Sequence, residues 1–326
     1  MIIVTGASGF IGSNIVADLN ERGRTDILIV DDLGSQGKWK NLAQRRFVDI
    51  VHPGKVQPII DKLDGADAVF HMGANSSTTS TDGDEILESN LRSSMAWWKW
   101  CTDTKTPLIY ASSAATYGDG QHGFDDDQST DALDRLRPLN LYGWSKHAFD
   151  KWATDRAAEG AAPPQWAGLK FFNVYGPNEY HKGDMRSLVA KNTELIAAGQ
   201  TINLFRSHKD GYKDGEQLRD FVYVKDCTAV MLWLMDHPAV SGIFNLGTGQ
   251  ARSFIDLMRA IGAAMNKPVN FNFVDMPLSI RHNYQYFTEA NMAKLREAGY
   301  PKEPTSLEDG VKDYVTHYLL AANTYR

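Results

Sequence analysis

This 326-residue sequence predicts an α/β fold of the Rossmann type, with helices on both faces of a doubly wound parallel sheet. Short apolar or β-branched runs alternate with helix-length amphipathic segments through the first half of the chain, which is the order of βαβ units. A glycine-rich turn directly follows the first of these runs. After Pro177 the alternation gives way to loops rich in charge and glycine, so we expect a smaller second lobe that is discontinuous in sequence.

The individual elements follow from hydrophobic periodicity and segment length. Strands are predicted on the short apolar runs at residues 2–5, 27–30, 46–48, 68–71, 108–111, 168–172, 220–224 and 242–246. Helices are predicted on the longer amphipathic segments at residues 9–22, 84–102 and 142–158. This order predicts a first domain of residues 1–175, to which residues 218–250 return. The smaller lobe then consists of residues 176–217 and 251–326.

Composition excludes several classes of function. The chain carries 34 Lys+Arg against 40 Asp+Glu, a net charge of -6, which offers no broad basic face to nucleic acid. The first residues lead into a strand without a cationic leader, and no apolar stretch approaches the roughly 18 residues of a membrane span. We therefore expect a cytoplasmic protein with neither nucleic acid nor membrane as a partner. Cys101 and Cys227 have no metal-type spacing, so we expect buried inert thiols and no metal site.

Two further clusters have plain structural interpretations. The acidic run at residues 125–127 is typical of a solvated turn. Trp97, Trp98 and Trp100 lie close together on one predicted helix, where packing in the core or at a subunit interface is the expected role.

The glycine turn is the first sign of a binding site. Gly6, Gly9 and Gly12 lie between the first strand and the first helix, where a Rossmann-type fold turns tightly and brings helix amides to a dinucleotide diphosphate. Asp31 and Asp32 end the second strand, the position that contacts the adenosine ribose. Together these residues predict a nicotinamide dinucleotide site.

The charges leave the choice between NADP and NAD open. The Asp31 and Asp32 carboxylates would repel a 2′-phosphate, whereas Lys38 could pair with it. Asp49, after the third predicted strand, is either a hydrogen-bond partner of the adenine or an exposed loop acid.

A catalytic set follows from spacing. Tyr142 and Lys146 are four residues apart and share one face of a helix, so the lysine ammonium can stabilise a phenolate. Ser113 ends the fifth predicted strand, at the sheet edge where ligands bind, and its hydroxyl could hold a substrate oxygen beside Tyr142.

With the glycine turn, this set resembles the Ser-Tyr-Lys set of extended short-chain dehydrogenases/reductases, and the resemblance covers nearly the whole chain. Dehydratases of that superfamily carry Thr-Asp-Glu starting at the place of Ser113. Here Ala114 and Ala115 replace the acid and base, which disfavours dehydration.

Short stretches of the sequence indicate one particular family within this superfamily. Five stretches are similar to the family of ADP-L-glycero-D-manno-heptose 6-epimerases, namely residues 70–79, 110–118, 172–177, 181–183 and 219–224. The resemblance implies inversion at C6″ of an ADP-heptose, a precursor of the lipopolysaccharide inner core, with NADP retained between turnovers. It also implies that Tyr142 and Lys182 share the two proton transfers.

The same resemblance implies the residues of two binding sites. The cofactor set, besides the glycines of the turn, is Phe10, Ile11, Asp31, Asp32, Lys38, Met72, Gly73, Ala74, Asn75, Ser76, Asn90, Lys146, Val174 and Lys182. The substrate set is Asn173, Asp184, Lys191, Phe205, Arg206, Ser207, His208, Arg219 and Tyr284. Arg219 is the best diphosphate ligand, because a guanidinium offers fixed bidentate donors, and an ion pair with Asp220 is the alternative.

This chain departs from the family at two of these positions. Asp184 and Lys191 stand where the family often has Ser and His, and the loop at residues 206–217 is long. A carboxylate near a diphosphate is unfavourable unless Lys191 or Arg186 offsets it.

Two other functions remain as alternatives. One is another NAD(P)-dependent nucleotide-sugar epimerase or reductase, such as a UDP-sugar 4-epimerase, which normally lacks the lysine loop. The other is a non-catalytic dinucleotide sensor, since the fold alone does not define function. The resemblance further implies a homo-oligomer, with a pentameric ring among the assemblies known for related epimerases.

Overall fold

The main sheet is built from short, fully apolar strands. In the computed structural model, which describes residues 1–281 and 284–326, the strands are β1 (Ile2–Thr5), β2 (Ile27–Val30), β3 (Asp49–Val51), β4 (Ala68–His71), β5 (Leu108–Ser113), β6 (Trp166–Phe171), β7 (Asn173–Tyr175), β8 (Ile202–Phe205), β9 (Leu218–Tyr223), β10 (Gly242–Leu246), β11 (Ala251–Ser253) and β12 (Phe271–Val274). Every residue of β1, β2 and β4 is buried, as expected of strands covered on both faces.

The strand order confirms the predicted doubly wound fold. Seven strands of the described residues pair in the order β10-β6-β5-β4-β1-β2-β3, and each of these pairings is parallel. The order runs outward from β1 in both directions, so the topological switch lies between β1 and β4. In such sheets ligands bind beyond the carboxyl ends of the strands at this switch.

The helices follow the predicted alternation in the first half of the chain. In chain order they are α1 (Phe10–Glu21), α2 (Gln57–Ile60), α3 (Gly83–Ile86), α4 (Ser93–Asp103), α5 (Thr130–Arg135), α6 (Leu141–Ala158), α7 (Leu188–Ala197), α8 (Val224–Asp236), α9 (Phe254–Ala264), α10 (Leu278–Arg281), α11 (Ala293–Glu297) and α12 (Leu307–Tyr314). A π-helical turn, Leu87–Arg92, joins α3 to α4, so the helix predicted at 84–102 is continuous with one widened turn.

Smaller sheets lie outside the main one. Strand β9 pairs with β7 and β11, and β8 pairs with β12. A second apolar cluster forms where α7, α9 and α12 pack together, with Val189, Leu257 and Val311 fully buried in it. The return of the chain to the main sheet is made by β10, whereas β9 stays in the three-stranded sheet. The division into two domains at the boundaries given above stays a prediction.

Three local expectations meet different outcomes. The third strand was predicted three residues early: it begins at Asp49, which pairs with Leu28, and Val48 before it is exposed. The acidic turn is not wholly solvated, because Asp126 is buried and its carboxylate accepts a hydrogen bond of 2.7 Å from the Asn245 amide. The three tryptophans pack in the core of the chain itself, where Trp98 lies 5.3 Å from Trp166.

Both cysteines are buried and free, as expected. No helix within residues 1–281 and 284–326 has the length and apolar composition to cross a bilayer.

Candidate active site

A cleft of about 1610 Å³ opens at the carboxyl ends of β1, β4 and β5. The glycine turn, the loop after β4 and the loop that carries Lys182 form its walls. All four predicted catalytic residues line it, namely Ser113, Tyr142, Lys146 and Lys182. So do most of the predicted cofactor residues: Gly6, Gly9, Phe10, Ile11, Gly12, Asp31, Asp32, Lys38, Met72, Gly73, Ala74, Asn75, Ser76 and Val174.

Close packing explains the glycines of the turn. A Cβ on Gly6 would lie 2.6 Å from the Gly73 backbone nitrogen, and Gly6 has a φ of +63°, which favours glycine. A Cβ on Gly12 would lie 2.1 Å from the Gly6 carbonyl oxygen. Within the described part of the chain no side chain caps the start of α1, and its first turn contains no acidic residue, so the amides there can face an anion. The turn therefore fits a dinucleotide diphosphate.

The acidic pair after β2, Asp31 and Asp32, already has partners within the protein. The Asp31 carboxylate accepts hydrogen bonds from the Ser8 amide (2.7 Å) and hydroxyl (2.6 Å). The Lys38 ammonium lies 3.1 Å from Asp31 and 3.0 Å from Asp32. Burial works against the charge of Lys38, but the two carboxylates outweigh it and raise its pKa. Lys38 thus lies at the ribose end of the cleft as a fully charged group.

Asn90 is the predicted cofactor residue that lies behind the cleft wall. Its side-chain oxygen accepts from the Asn75 amide (2.8 Å), and its nitrogen donates to the Asn75 carbonyl (2.9 Å) and the Ser145 hydroxyl (3.0 Å). Asn90 therefore holds the loop after β4 against α6. Asp49 is exposed, and among the described residues its carboxylate accepts a hydrogen bond only from the neighbouring Ile50 amide, which fits the exposed-acid interpretation.

His71 lines the cleft although sequence reasoning did not select it. Its Nδ1 lies 2.7 Å from the Thr5 hydroxyl and its Nε2 3.0 Å from the Ser94 hydroxyl. Burial, helped by the charge of Lys146, lowers its pKa to about 3, so the ring is neutral. The sequence does contain a signal for it, because His71 is a polar residue at the end of an apolar strand next to the switch point.

The catalytic set combines a strand end with one face of a helix. Ser113 ends β5, and Asn140 caps α6 through a 2.8 Å bond to the Gly143 amide, which fixes Tyr142 in the first turn. Burial raises the pKa of Tyr142, opposed by a hydrogen bond with Ser113. Burial lowers the pKa of Lys146 to about 8, opposed by the charge of Asp150. At neutral pH Lys146 is therefore mostly an ammonium that can stabilise a phenolate at Tyr142.

Lys182 lies on a short 3-10 turn, Tyr180–Met185, which Gly183 breaks with a φ of 52°. Its ammonium lies 5.6 Å from the centre of the Phe10 ring, at the start of α1. Burial lowers its pKa, opposed by the charge of Glu179. A lysine whose pKa is lowered is better able to take a proton at neutral pH.

Arg219 is a buried cation in β9, with 8% of its surface exposed. Its guanidinium lies between the rings of Phe254 (5.6 Å) and Tyr284 (5.2 Å). The alternative of an ion pair with Asp220 is wrong, because that carboxylate faces away and accepts hydrogen bonds from residues 248, 249 and 290. Its guanidinium donates to the carbonyl oxygens of Leu218 (2.8 Å) and Gln285, and among the described residues no carboxylate pairs with it, which leaves its charge available to an anion.

The rest of the predicted substrate set divides into two groups. The first group, residues 205–208 with Tyr284, makes local contacts. The ring centres of Phe205 and Tyr284 lie 6.1 Å apart, and the Arg206 guanidinium lies 3.7 Å from the Asp275 carboxylate. The Ser207 amide donates to the Asp214 carboxylate (2.8 Å), and the His208 amide donates to the Tyr286 hydroxyl (2.9 Å). The second group is spread over three elements. Asn173 begins β7 and pairs with Phe221, two residues from Arg219 in β9, whereas Asp184 lies on the turn Tyr180–Met185 and Lys191 in α7. Neither group belongs to the wall of the cleft described above. Asp184 is exposed, and within the described parts of the chain no ion pair with Lys191 or Arg186 offsets it.

A parallel sheet with a glycine turn at its switch point, and a serine, tyrosine and lysine in the same cleft, define an extended short-chain dehydrogenase/reductase. The chain belongs to the NAD dependent epimerase/dehydratase family, whose sequence profile matches residues 2–247.

Individual relatives agree with this family. An ADP-L-glycero-D-manno-heptose-6-epimerase of Nitratidesulfovibrio vulgaris strain Hildenborough is 51% identical over 329 residues, which cover 100% of both chains. The crystal structure of the Helicobacter pylori enzyme of that name superposes with a TM-score of 0.78 at 26% identity, covering 97% of this chain and 95% of that one. A UDP-glucose 4-epimerase of Thermus thermophilus in complex with NAD has a TM-score of 0.76 at 25% identity, covering 98% and 99%.

Proposed function

We propose that this protein inverts the configuration at C6″ of ADP-glycero-manno-heptose, a precursor of the lipopolysaccharide inner core, using NADP that stays bound. The observation that carries the proposal is that Lys182 lines the same cleft as Tyr142, Lys146 and Ser113. A relative that matches this chain over the full length of both and bears this activity in its name supports the choice of sugar. A UDP-sugar 4-epimerase would have the same fold, but its reaction would not use Lys182 as an acid or base.

Inversion needs proton transfer on two faces of one carbon. A nicotinamide dinucleotide held by the glycine turn and the ribose-end residues Asp31, Asp32 and Lys38 would supply the hydride acceptor and donor for C6″. One of Tyr142 and Lys182 takes the hydroxyl proton as the C6″ carbonyl forms, and the other gives a proton to the oxygen when it has changed sides. The Lys146 ammonium stabilises the Tyr142 phenolate, and the Ser113 hydroxyl donates to the substrate oxygen. Arg219 binds the ADP diphosphate.

The proposal predicts redox-neutral turnover. Because the hydride returns to the carbon it left, ADP-heptose should be epimerised without added dinucleotide and without accumulation of free reduced nicotinamide. NMR of the two epimers, run beside absorbance of reduced nicotinamide, measures both quantities. Reduced nicotinamide that grows in step with substrate loss would instead mean a simple dehydrogenase. An unchanged ADP-heptose with turnover of a UDP-sugar would favour the alternative epimerase.

NADP rather than NAD is the proposed dinucleotide, and Lys38 is the residue that supports it. Lys38→Ala should weaken NADP binding by about 1–2 kcal/mol and NAD binding much less, because only the former has a 2′-phosphate for the ammonium to bond. The loss also leaves Asp31 and Asp32 facing that phosphate. Titrations of both dinucleotides measure the difference, with the exposed Lys40→Ala in the same turn as the control. Equal weakening of both would remove Lys38 from this role.

Location and assembly complete the proposal. We place the protein in the cytoplasm as a homo-oligomer, for which light scattering of the purified protein gives the subunit number. Mass measurement of the dinucleotide released on denaturation identifies the bound cofactor directly.

A further inference from the structure

Asn41 joins two parts of the cleft that are far apart in sequence. It lies on the 3-10 turn Lys38–Leu42 and is 1% exposed. Its side-chain nitrogen lies 2.8 Å from the Ser8 carbonyl oxygen, 3.0 Å from the Asn178 carbonyl oxygen and 3.3 Å from Nδ1 of His181. One buried amide therefore contacts the phosphate turn on one side and the chain immediately before Lys182 on the other.

Two more asparagines make the same connection. The side-chain nitrogen of Asn14, in α1, donates to the carbonyl oxygen of Pro177 at 2.9 Å. That of Asn178 donates to the Ser13 hydroxyl at 3.0 Å. We call Asn14, Asn41 and Asn178 the asparagine clasp. It fastens the Lys182 loop to the phosphate turn and to the first turns of α1.

The turn that carries Asn41 also reaches the ribose end of the cleft. Lys38 begins this turn and contacts Asp31 and Asp32. The Ser8 residue whose carbonyl bonds Asn41 donates its own amide and hydroxyl to Asp31. The ribose carboxylates, the phosphate turn and the Lys182 loop are therefore linked through one short turn.

His181 is suited to receive the Asn41 amide. Burial, with the charges of Lys182 and Lys38, lowers its pKa to about 4, so its ring is neutral at pH 7, and Nδ1 accepts in the tautomer that carries its proton on Nε2. Its position next to Lys182 in the chain lets the contact fix where the Lys182 side chain begins.

We propose that Asn41 is a positioning residue, which couples occupancy of the dinucleotide site to the placement of Lys182. Its catalytic consequence rests on the proposed function, in which Lys182 is an acid and base. Placement matters because a shift of about 1 Å at a reacting group can cost roughly a hundredfold in rate.

Amide hydrogen exchange tests the coupling without any substrate. Exchange in residues 178–185 is compared with and without saturating NADP, or NAD if that binds more tightly, in wild type and in Asn41→Leu. We expect bound dinucleotide to slow exchange in this segment of the wild type, and the protection to be lost in Asn41→Leu. Equal protection in both proteins would overturn the proposal.

A matched control separates coupling from loss of stability. Asn20 is also an amide that ties two segments together, donating at 2.9 Å to the carbonyl oxygens of Arg24 and Arg46, away from the cleft. Asn20→Leu should keep the protection of residues 178–185. If Asn41→Leu does not fold, Asn41→Ala leaves room for water and takes its place. A control that loses the protection as fully as Asn41→Leu contradicts a specific role for Asn41.

Single-turnover reduction of bound dinucleotide tests the consequence for catalysis. In the two-base scheme each epimer gives its hydroxyl proton to a different residue. Asn41→Leu should therefore slow oxidation of one epimer by roughly tenfold to a hundredfold more than the other, with the same preference as a variant lacking the Lys182 ammonium. Equal slowing of both epimers would overturn the positioning role. A wild type that oxidises neither epimer refutes the proposed function instead, and the exchange experiment still decides on Asn41.

Discussion

Lys182→Met is expected to lower the rate of ADP-heptose epimerisation by about 10²–10⁴-fold, the usual contribution of a placed proton-transfer group. Methionine keeps the aliphatic stem over the Phe10 ring but removes the ammonium, so fold and bound dinucleotide should persist. The lowered pKa of Lys182 adds a pH dependence. Oxidation of the epimer whose hydroxyl proton goes to the free amine should slow as pH falls through that pKa, and the variant should lack this limb.

Two companion variants sharpen the result. Tyr142→Phe should slow inversion to a similar extent, because the loss of either residue blocks proton transfer on one face. Lys40→Met removes an exposed lysine near the cleft and should leave the rate unchanged. NMR of the two epimers gives the rates, and the mass of released dinucleotide gives the occupancy. A Lys182→Met rate within about threefold of wild type at full occupancy, far below the contribution expected of such a group, would show that Tyr142 acts alone.

Residues related by local spacing could be predicted from sequence. The glycine turn follows a strand directly, and Tyr142 and Lys146 share a helix face by periodicity alone. Ser113 ends β5, a short apolar run like the other strands of the sheet, so its place at the sheet edge could also be predicted. These rules operate over a few residues, and the structure gathers all of these residues in one cleft.

Residues that depend on distant partners could not be predicted in the same way. Asn41 contacts Asn178 across 137 positions of sequence, and no local pattern marks either one. Asp126 belongs to an acidic run that is typical of solvent, but it pairs with the Asn245 amide from 119 positions away. Lys182 could be predicted only from the family resemblance. From local sequence alone it is an ordinary loop lysine.

A buried ion pair behind the catalytic residues also lacked a sequence signal. Lys170 in β6 and Asp150 in α6 lie 2.9 Å apart, with 1% and 0% of their side chains exposed. The Asp150 carboxylate also accepts from the Ser112 hydroxyl at 2.7 Å, and Lys170 donates to the Thr116 hydroxyl at 2.6 Å. The pair thus supports the chain on both sides of Ser113.

Lys170→Met is expected to lower the free energy of unfolding by about 3–5 kcal/mol, because it leaves the Asp150 carboxylate buried without a counter-charge. Lys151→Met breaks the neighbouring Lys151–Asp134 pair, whose side chains are 41% and 51% exposed, and should cost far less, because water screens an exposed pair. Denaturant unfolding of the three proteins measures both differences. Equal small losses would mean that Asp150 reaches water or a proton once Lys170 is gone.

The double variant Asp150→Leu with Lys170→Met separates stability from catalysis. It should regain most of the lost stability, because replacing both charges by apolar groups removes the unpaired carboxylate. Its activity at neutral pH should nevertheless be lower than that of the wild type, since the Asp150 charge opposes the burial that brings the pKa of Lys146 down to about 8. Without that charge the pKa falls further, less Lys146 is protonated, and the Tyr142 phenolate loses its neighbouring cation. A double variant with restored stability and the wild-type rate would show that the pair serves the fold alone.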